Sequence, residues 1–196
     1  MKVRKDFYRR SALEVAPDLL GLTLVHNTRE GITKGKIVEV EAYMGRIDPG
    51  AHSFRGKPTK RTQVMFGEWG HAYVYLIYGM YYCMNEVANE VDIPEAVLIR
   101  ALEPIEGIEL MQERRNKKRL KERCSGPGKL CSAMGINKDN NGMDMTKDQL
   151  YIEAPKNKEI FTIEKSKRIN IDYAKEAKDF LWRFTIKDNE FVSVKS

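Results

Sequence analysis

The sequence predicts an α+β fold in which one domain, residues 1–196, is built on a mostly antiparallel sheet. Two segments indicate the sheet. KIVEVEAY at 36–43 alternates between apolar and polar residues, and the tyrosine-rich segment 72–87 has strand composition on both sides of Gly79. Helix signals stand elsewhere along the chain, and we find no internal repeat or low-complexity linker.

The composition is that of a basic globular protein. Of 196 residues, 42% are hydrophobic and 32% charged, and the net charge of +6 suits a polyanionic partner such as nucleic acid. No apolar run approaches the roughly 20 residues that span a bilayer, so we expect no membrane contact. The basic N-terminus lacks the apolar stretch of a signal peptide, which makes the cytoplasm the expected location.

The cysteines and histidines argue against a disulfide framework and a structural zinc site. The cysteines are odd in number and lack a C-x-x-C pair, so we expect reduced thiols that are at least partly buried. The histidines show no metal-ligand spacing. These residues are Cys83, Cys124 and Cys131, and His26, His52 and His71.

The N-terminal quarter predicts one helix and two strands. A capping-box sequence, S-x-x-E, predicts a helix that begins at Ser11, is interrupted at Pro17 and ends at Gly21. Strands are predicted at 22–26 and 31–43.

The second strand carries two carboxylates on one face. Glu39, Glu41 and Tyr43 alternate with apolar residues, so their side chains point the same way. Paired carboxylates can supply an acid and a base, as in glycosidic cleavage. The simpler explanation is that both glutamates face water from a half-buried strand.

Residues 44–71 form a long connection rich in glycine, proline and basic residues. A loop of this length inside a compact domain is usually functional or disordered. Its cations either face solvent or contact phosphate, and they are Arg55, Lys57, Lys60 and Arg61.

The segment 72–87 predicts a β-hairpin with its turn at Gly79. Tyr73 and Tyr75 share one strand face, whereas Tyr78 lies at the turn and is free to project outward. A tyrosine-rich hairpin that only packs on the core is the alternative.

A buried strand at 95–102 is interrupted by Arg100. Its guanidinium group needs an anionic partner, because burial of an unpaired charge costs free energy of desolvation. A structural salt bridge and a functional role are both open. Pro104 is expected near the first turn of a helix at 105–123.

A short helix is predicted at 128–134, and its first N–H groups with Lys129 form a candidate phosphate site. The remaining predictions are a strand pair, a helix and two terminal strands: 151–154 with 159–163, 171–180, 182–186 and 191–194.

Six motifs together resemble the alkyladenine (3-methyladenine) DNA glycosylase family, and the similarity covers nearly the whole chain. They are VEVEAY at 38–43, AHSFRGKPTKRT at 51–62, MF at 65–66, YVYLIYGMYYCMN at 73–85, VLIRALEP at 97–104 and SGPGKLCSAMGI at 125–136. The chain is similar to a bacterial member reduced to the catalytic domain.

The resemblance implies a monofunctional enzyme that excises alkylated purines from duplex DNA and leaves an abasic site. Water attacks the sugar, and no metal or other cofactor is used. It implies a monomer whose curved antiparallel sheet, with surrounding helices, carries a hairpin that enters the minor groove. Deaminated purines also pair badly and cost less to extrude, so they are included as substrates.

The resemblance also implies roles for individual residues in hydrolysis. Glu41 is the general base, and Arg100 helps to hold the attacking water. In SKRINIDYA at 166–174, Asn170 stands where the family is expected to have glycine, and the carbonyl of Ile169 is expected to hold the water.

The remaining implied roles concern base and DNA contacts. Tyr78 fills the gap that the extruded nucleotide leaves. The base is contacted by Tyr43, His52, Tyr75 and Asn85. The DNA backbone contacts are assigned to Lys129, Arg55 and Lys60.

Two other functions stay open at this point. A non-catalytic nucleic-acid-binding module would use the hairpin and the basic surface without releasing a base. A carbohydrate-acting enzyme would use Glu39 and Glu41 as its pair of carboxylates.

Overall fold

Antiparallel strand pairs form the centre of the molecule. The structure is a computed structural model that describes residues 1–116, 119–155, 157 and 159–195. Its strands are β1 (Thr23–Thr28), β2 (Gly31–Tyr43), β3 (Ala72–Ile77), β4 (Tyr81–Ala88), β5 (Glu95–Glu106), β6 (Leu150–Glu153), β7 (Ile163–Ser166) and β8 (Arg183–Ile186). Its α-helices are α1 (Ala12–Leu19), α2 (Ile108–Arg115), α3 (Lys121–Cys124) and α4 (Pro127–Met134).

The strands make one open sheet in the order β3-β4-β5-β2-β1-β6, with β8 paired to β2 and β7 paired to β8. Every strand pairing is antiparallel, so the predicted α+β class is confirmed. The long strand β2 has β5 along one edge, while β1 and then β8 share the other edge.

The pairing of β2 with β5 is irregular where their charged residues meet. Between Glu39 and Val40 the register partner changes from Ala101 to Ile99, so Arg100 is left without a partner in the ladder. A bulge of this kind bends the strand and redirects a side chain. It allows Arg100 to reach the carboxylates of β2.

Helix α1 confirms the predicted capping box at Ser11, whose side chain accepts the Leu13 N–H. The expectation that Pro17 interrupts this helix is wrong, because the helix continues through it to Leu19. Packing of the buried Val15 and Leu19 in the core outweighs the one lost backbone bond.

The predicted helix at 105–123 is wrong at its start and in its continuity. Strand β5 runs through Pro104, and α2 begins only after Gly107, whose φ is 73°. Strand β4 covers β5 only as far as Leu98, so a proline is tolerated further along that edge. Lys117 and Lys118 lie outside the described residues.

The predicted strand pair of 151–154 with 159–163 is also wrong. Strand β6 pairs with β1, and β7 pairs with β8. Alternation identifies a strand but not its partner, and here edges distant in sequence replace the local hairpin. Lys156 and Lys158 lie outside the described residues.

The C-terminal predictions are confirmed only in part. The strand predicted at 182–186 is present as β8, whereas 171–180 contains only a 3₁₀ segment, Lys175–Asp179. Residues 191–194 do not form a strand, because their backbone groups bond to the side chains of Glu39 and Arg183 instead of to a neighbouring strand.

The long connection and the hairpin agree with their predictions from the sequence. Residues 44–71 contain no strand and only two 3₁₀ segments, Gly45–Ile47 and Gln63–Phe66. Strands β3 and β4 form the predicted hairpin.

The three cysteines are free and buried, as expected. No helix in the described part of the chain has the length and apolar character to cross a bilayer.

Candidate active site

Glu41 lies in a buried polar cluster on β2. Its side chain is fully buried, because β5 and β8 flank this part of the strand. Its Oε1 accepts the Ile169 backbone N–H at 2.7 Å. Its Oε2 accepts the Tyr43 hydroxyl at 2.9 Å and Nη1 of Arg100 at 3.4 Å. Glu39 is fully buried as well, so the explanation that both glutamates face water is wrong.

Arg100 joins the two glutamates of β2. Its Nε donates to Glu39 Oε1 at 2.8 Å, and Nε of Arg183 on β8 donates to the same oxygen at 2.9 Å. Burial raises the pKa of Glu39, but the positive charges of Arg100 and Arg183 outweigh burial, and the net result is a lowered pKa. The buried carboxylate therefore stays charged, and both guanidinium groups have an anionic partner.

Tyr43 is fixed through both its hydroxyl and its ring. Burial, and then the charge of Glu41, raise the pKa of Tyr43 well above its ordinary value, so the hydroxyl remains a donor. The Arg168 guanidinium lies 4.6 Å from the centre of the ring, and it is paired with Asp48. Neither of these two paired side chains is exposed to solvent.

A small pocket beside this cluster brings together the four residues assigned to base binding. Its lining is Tyr43, His52, Tyr75 and Asn85, together with Gly50, Met65, Tyr73 and Tyr173. The rings of Tyr73 and Tyr75 are 5.4 Å apart, and Asn85 Nδ2 donates to the Tyr73 carbonyl at 3.0 Å. A mainly aromatic lining with a few polar groups suits a flat heterocyclic ligand.

His52 is an exposed member of this pocket and is neutral near pH 7. Its Nδ1 lies 3.0 Å from the Tyr73 hydroxyl, and its ring meets that of Tyr75 edge-on with centroids 4.5 Å apart. Nη2 of Arg61 lies 3.4 Å from Nε2 of His52. Partial desolvation, and then the Arg61 charge, lower the pKa of His52 to about 4.

The β3–β4 hairpin ends in an exposed apolar tip. Tyr78 and Gly79 both have positive φ, at 52° and 68°, and Tyr78 is 75% exposed. An apolar patch of this kind typically marks an interaction surface. The other exposed apolar side chains of the tip are Leu76, Met80 and Tyr81.

The start of α4 lies directly against this hairpin. A Cβ atom at Gly128 would come within 2.9 Å of the Tyr81 Cβ, so the contact requires glycine. Lys129 follows at once and is exposed. Arg55 and Lys60 are exposed cations of the connection 44–71.

A comparison with protein families shows where the chain belongs. The model of the methylpurine-DNA glycosylase family matches residues 6–190.

The chain belongs to the methylpurine-DNA glycosylase family.

It is thus placed among the DNA glycosylases, hydrolases that act on N-glycosyl bonds in DNA, and the resemblance found in the sequence is confirmed.

Curated bacterial relatives match this glycosylase along its whole length. A protein of Clostridium acetobutylicum is 56% identical over 99% of this chain and 98% of its own. One of Alkaliphilus oremlandii is 53% identical over the full length of both chains, and one of Bacillus cytotoxicus is 47% identical over 98% of this chain and all of its own. Each of the three is named "Putative 3-methyladenine DNA glycosylase".

Asn170 stands where the glycosylase resemblance predicts a glycine. Its φ of 58° is in the left-handed region, which asparagine adopts more readily than most residues. Asparagine therefore adopts here a backbone conformation that glycine also adopts, and the preceding residue, Ile169, donates its N–H to Glu41.

Several residues of this candidate site were not predicted from the sequence. Arg168 and Asp48 come from polar segments that are typical of a surface, and nothing local indicates their pairing. Arg183, like Arg100, is an arginine inside a predicted apolar strand. This feature alone indicates that its side chain needs an anionic partner in the folded protein. Tyr73, to which the resemblance assigns no role, also lines the pocket.

Within the residues that the structure describes, no group of three or more His, Cys, Asp or Glu side chains could hold a metal ion.

Proposed function

We propose that this protein is a monofunctional DNA glycosylase that flips alkylated or deaminated purines out of duplex DNA and hydrolyses the N-glycosidic bond. The observation that carries the proposal is the position of Glu41, which is buried, held by Arg100 and Tyr43, and next to an aromatic pocket. The names of the bacterial relatives point to 3-methyladenine as one substrate.

Stacking between aromatic side chains binds the extruded purine. The rings of Tyr43 and Tyr75 stack on its two faces, while His52 and Asn85 contact its edge. Each base–aromatic contact returns about 1–3 kcal/mol, which offsets the few kcal/mol that extrusion costs. Because His52 is neutral near pH 7, it does not repel a purine that carries a positive charge after alkylation.

A water molecule is the nucleophile, and Glu41 orients it and accepts its proton. Among the described residues, Glu41 Oε1 accepts one donor, the Ile169 N–H, so a lone pair remains for this water. As the water oxygen bonds to the sugar carbon, the bond to the purine breaks and the purine leaves with the electron pair. A cationic purine leaves as a neutral molecule, whereas a neutral deaminated purine leaves as an anion that takes its proton from solvent water.

The hairpin tip and the nearby cations bind the DNA. Tyr78 enters the minor groove as a wedge and occupies the vacated stack. Lys129 at the start of α4, with Arg55 and Lys60, contacts phosphates. We propose that the enzyme works as a monomer in the cytoplasm, associated with the nucleoid through DNA.

The two alternative functions have less support. A carbohydrate-acting enzyme would need a second carboxylate that is free to act, but Glu39 is fully buried and ion-paired with both Arg100 and Arg183. A non-catalytic binding module would have no use for a buried, guanidinium-paired Glu41 beside a pocket.

Excision from a labelled duplex tests the proposal. We expect Glu41→Gln to lower the single-turnover rate by about 10²- to 10⁴-fold, because it removes the base that takes the water proton. Glu164→Gln, a change of a partly exposed carboxylate on β7, is the matched control and should excise normally.

A Glu41→Gln enzyme as fast as the wild type would show that the base is assigned wrongly. A wild-type protein that binds damaged and undamaged duplex alike and releases no base would support the binding module instead. Strand cleavage of the abasic product without added alkali would contradict the monofunctional assignment.

A further inference from the structure

Glu39 accepts four hydrogen bonds beside Glu41, although the proposed reaction does not use it. It accepts Arg100 Nε at 2.8 Å, Arg183 Nε at 2.9 Å, and the backbone N–H and hydroxyl of Ser193 at 2.6 and 2.9 Å. With four donors on a fully buried carboxylate, the group has a single orientation.

Arg183 changes the charge balance around Arg100. Two carboxylates, Glu39 and Glu41, face two guanidinium groups, so the buried cluster is neutral. Without Arg183, Glu39 would be paired with Arg100 alone. With Arg183 present, the positive charge of Arg100 is shared toward Glu41, which its Nη1 reaches at 3.4 Å.

The chain segment 191–194 completes this arrangement. Ser193 contributes two donors to Glu39, and the Val194 carbonyl accepts Nη2 of Arg183. Phe191 and Val192 are buried in the main core, which fixes the segment in place. The irregular C-terminal stretch therefore bonds to both Glu39 and Arg183.

We propose that Glu39, Arg183 and Ser193 are positioning residues, which hold the Arg100 guanidinium in the plane and at the distance that serve Glu41. The inference rests on the proposed function, in which Arg100 and Glu41 act on the attacking water. The guanidinium group of an arginine is planar and rigid. A hydrogen bond from Nε therefore also sets the direction in which Nη1 points.

A purely structural role of the same three residues makes a different prediction. It would lower the unfolding free energy and the yield of folded enzyme, yet each folded molecule would excise at the normal rate. A positioning role lowers the rate of the enzyme–DNA complex and leaves the affinity for damaged duplex unchanged.

The mildest variant is Ser193→Ala, which removes one of the four bonds to Glu39. We expect its single-turnover rate at saturating enzyme to fall about three- to tenfold, the equivalent of one hydrogen bond, with the duplex Kd within about twofold of wild type. Ser193→Thr keeps the hydroxyl and should restore the rate.

Arg183→Lys keeps the positive charge but loses the planar guanidinium group, and it should lower the excision rate about 10- to 100-fold.

Ser11→Ala is the matched control, because it removes a serine hydroxyl that caps α1, far along the chain from Glu39. It should lower the unfolding free energy measured by urea denaturation without changing the excision rate. Comparing it with Ser193→Ala at equal loss of stability separates folding from positioning.

A double-mutant cycle with Arg100→Lys gives the sharpest test. If Ser193 acts through Arg100, Ser193→Ala should cost less than about twofold in the Arg100→Lys background. Equal losses in both backgrounds, or a Ser193→Ala enzyme with a normal rate, would overturn the inference. Those outcomes leave the proposed function intact provided that wild type excises and Glu41→Gln does not.

Discussion

Glu41 on β2 and Glu86 on β4 are both fully buried carboxylates of one sheet, but their surroundings differ. Glu41 has a hydroxyl, a guanidinium and a backbone N–H within hydrogen-bond reach. The oxygens of Glu86 have no hydrogen-bond partner among the described residues, and the nearby Gly70 N–H already donates to the Val87 carbonyl.

The consequence is that hydrogen-bond donors stabilise the buried carboxylate of Glu41, whereas that of Glu86 has none among the described residues. Burial, and then the charge of Asp144, raise the pKa of Glu86 well above its ordinary value, which favours a neutral acid. Burial alone therefore does not indicate a functional carboxylate. The donors around a buried carboxylate decide whether its charge is stabilised, and Asp48, paired with Arg168, is partnered as Glu41 is.

The largest effect should come from removing a cation from a partnered carboxylate. Arg168→Met leaves Asp48 buried and unpaired and uncovers the ring of Tyr43, so we expect the unfolding free energy to fall by about 3–5 kcal/mol. Urea denaturation measures this. Lys167→Met, which breaks an exposed pair with Asp179, is the control and should be close to wild type.

An opposite change is expected at the unpartnered carboxylate. Glu86→Met removes an unsatisfied buried group, so the protein should gain about 1–3 kcal/mol at pH 8. A loss of stability at that pH would mean that Glu86 has a compensating partner. Glu90→Met, a change of a half-exposed side chain on the same segment, controls for the substitution.

The pH dependence of that gain follows from the raised pKa of Glu86. Below about pH 4.5 the group is protonated in both folded and unfolded states, so its contribution to stability is fully present. As the pH rises toward the folded-state pKa, the unfolded chain ionises first and that stability is lost. The gain from Glu86→Met should therefore be smallest near pH 4.5 and grow up to pH 8.

A smaller effect on stability, but a clear one on binding, is expected at the exposed tip. Tyr78→Ala should change the unfolding free energy by no more than about 0.5 kcal/mol. Its affinity for a duplex with an extrudable purine should fall about 5- to 100-fold, the equivalent of one lost stack. Ile105→Ala, at a side chain 51% exposed, is the control. Equal losses on damaged and undamaged duplex would make Tyr78 an ordinary surface tyrosine.

The smallest effect concerns the exposed cations. Lys129→Ala should weaken binding to every duplex alike and reduce the slope of log affinity against log salt by about 1, because one phosphate contact is lost. Arg4→Ala, at an exposed cation of the N-terminal segment, should leave the slope unchanged. An unchanged slope for Lys129→Ala would remove it from the DNA-contacting residues.

Local signals predicted the elements that are stabilised locally. The bounds of β2, the capping box at Ser11 and the hairpin turn at Gly79 all agree with the structure. Each depends on side-chain periodicity, a capping bond or a backbone preference within a few residues. The wrong predictions, such as the hairpin of 151–163, concern strand partners, and pairing depends on edges distant in sequence.

The amino-acid sequence was enough to predict the family, the antiparallel sheet and four of the residues that line the pocket, because motifs in fixed order carry that information. The partners of the buried carboxylates became visible only in the folded protein. The bulge that redirects Arg100, the pairing of Asp48 with Arg168, and the bonds from Ser193 to Glu39 join residues 61 to 154 positions apart. Charges are stabilised by their neighbours in space, and no local pattern specifies those neighbours.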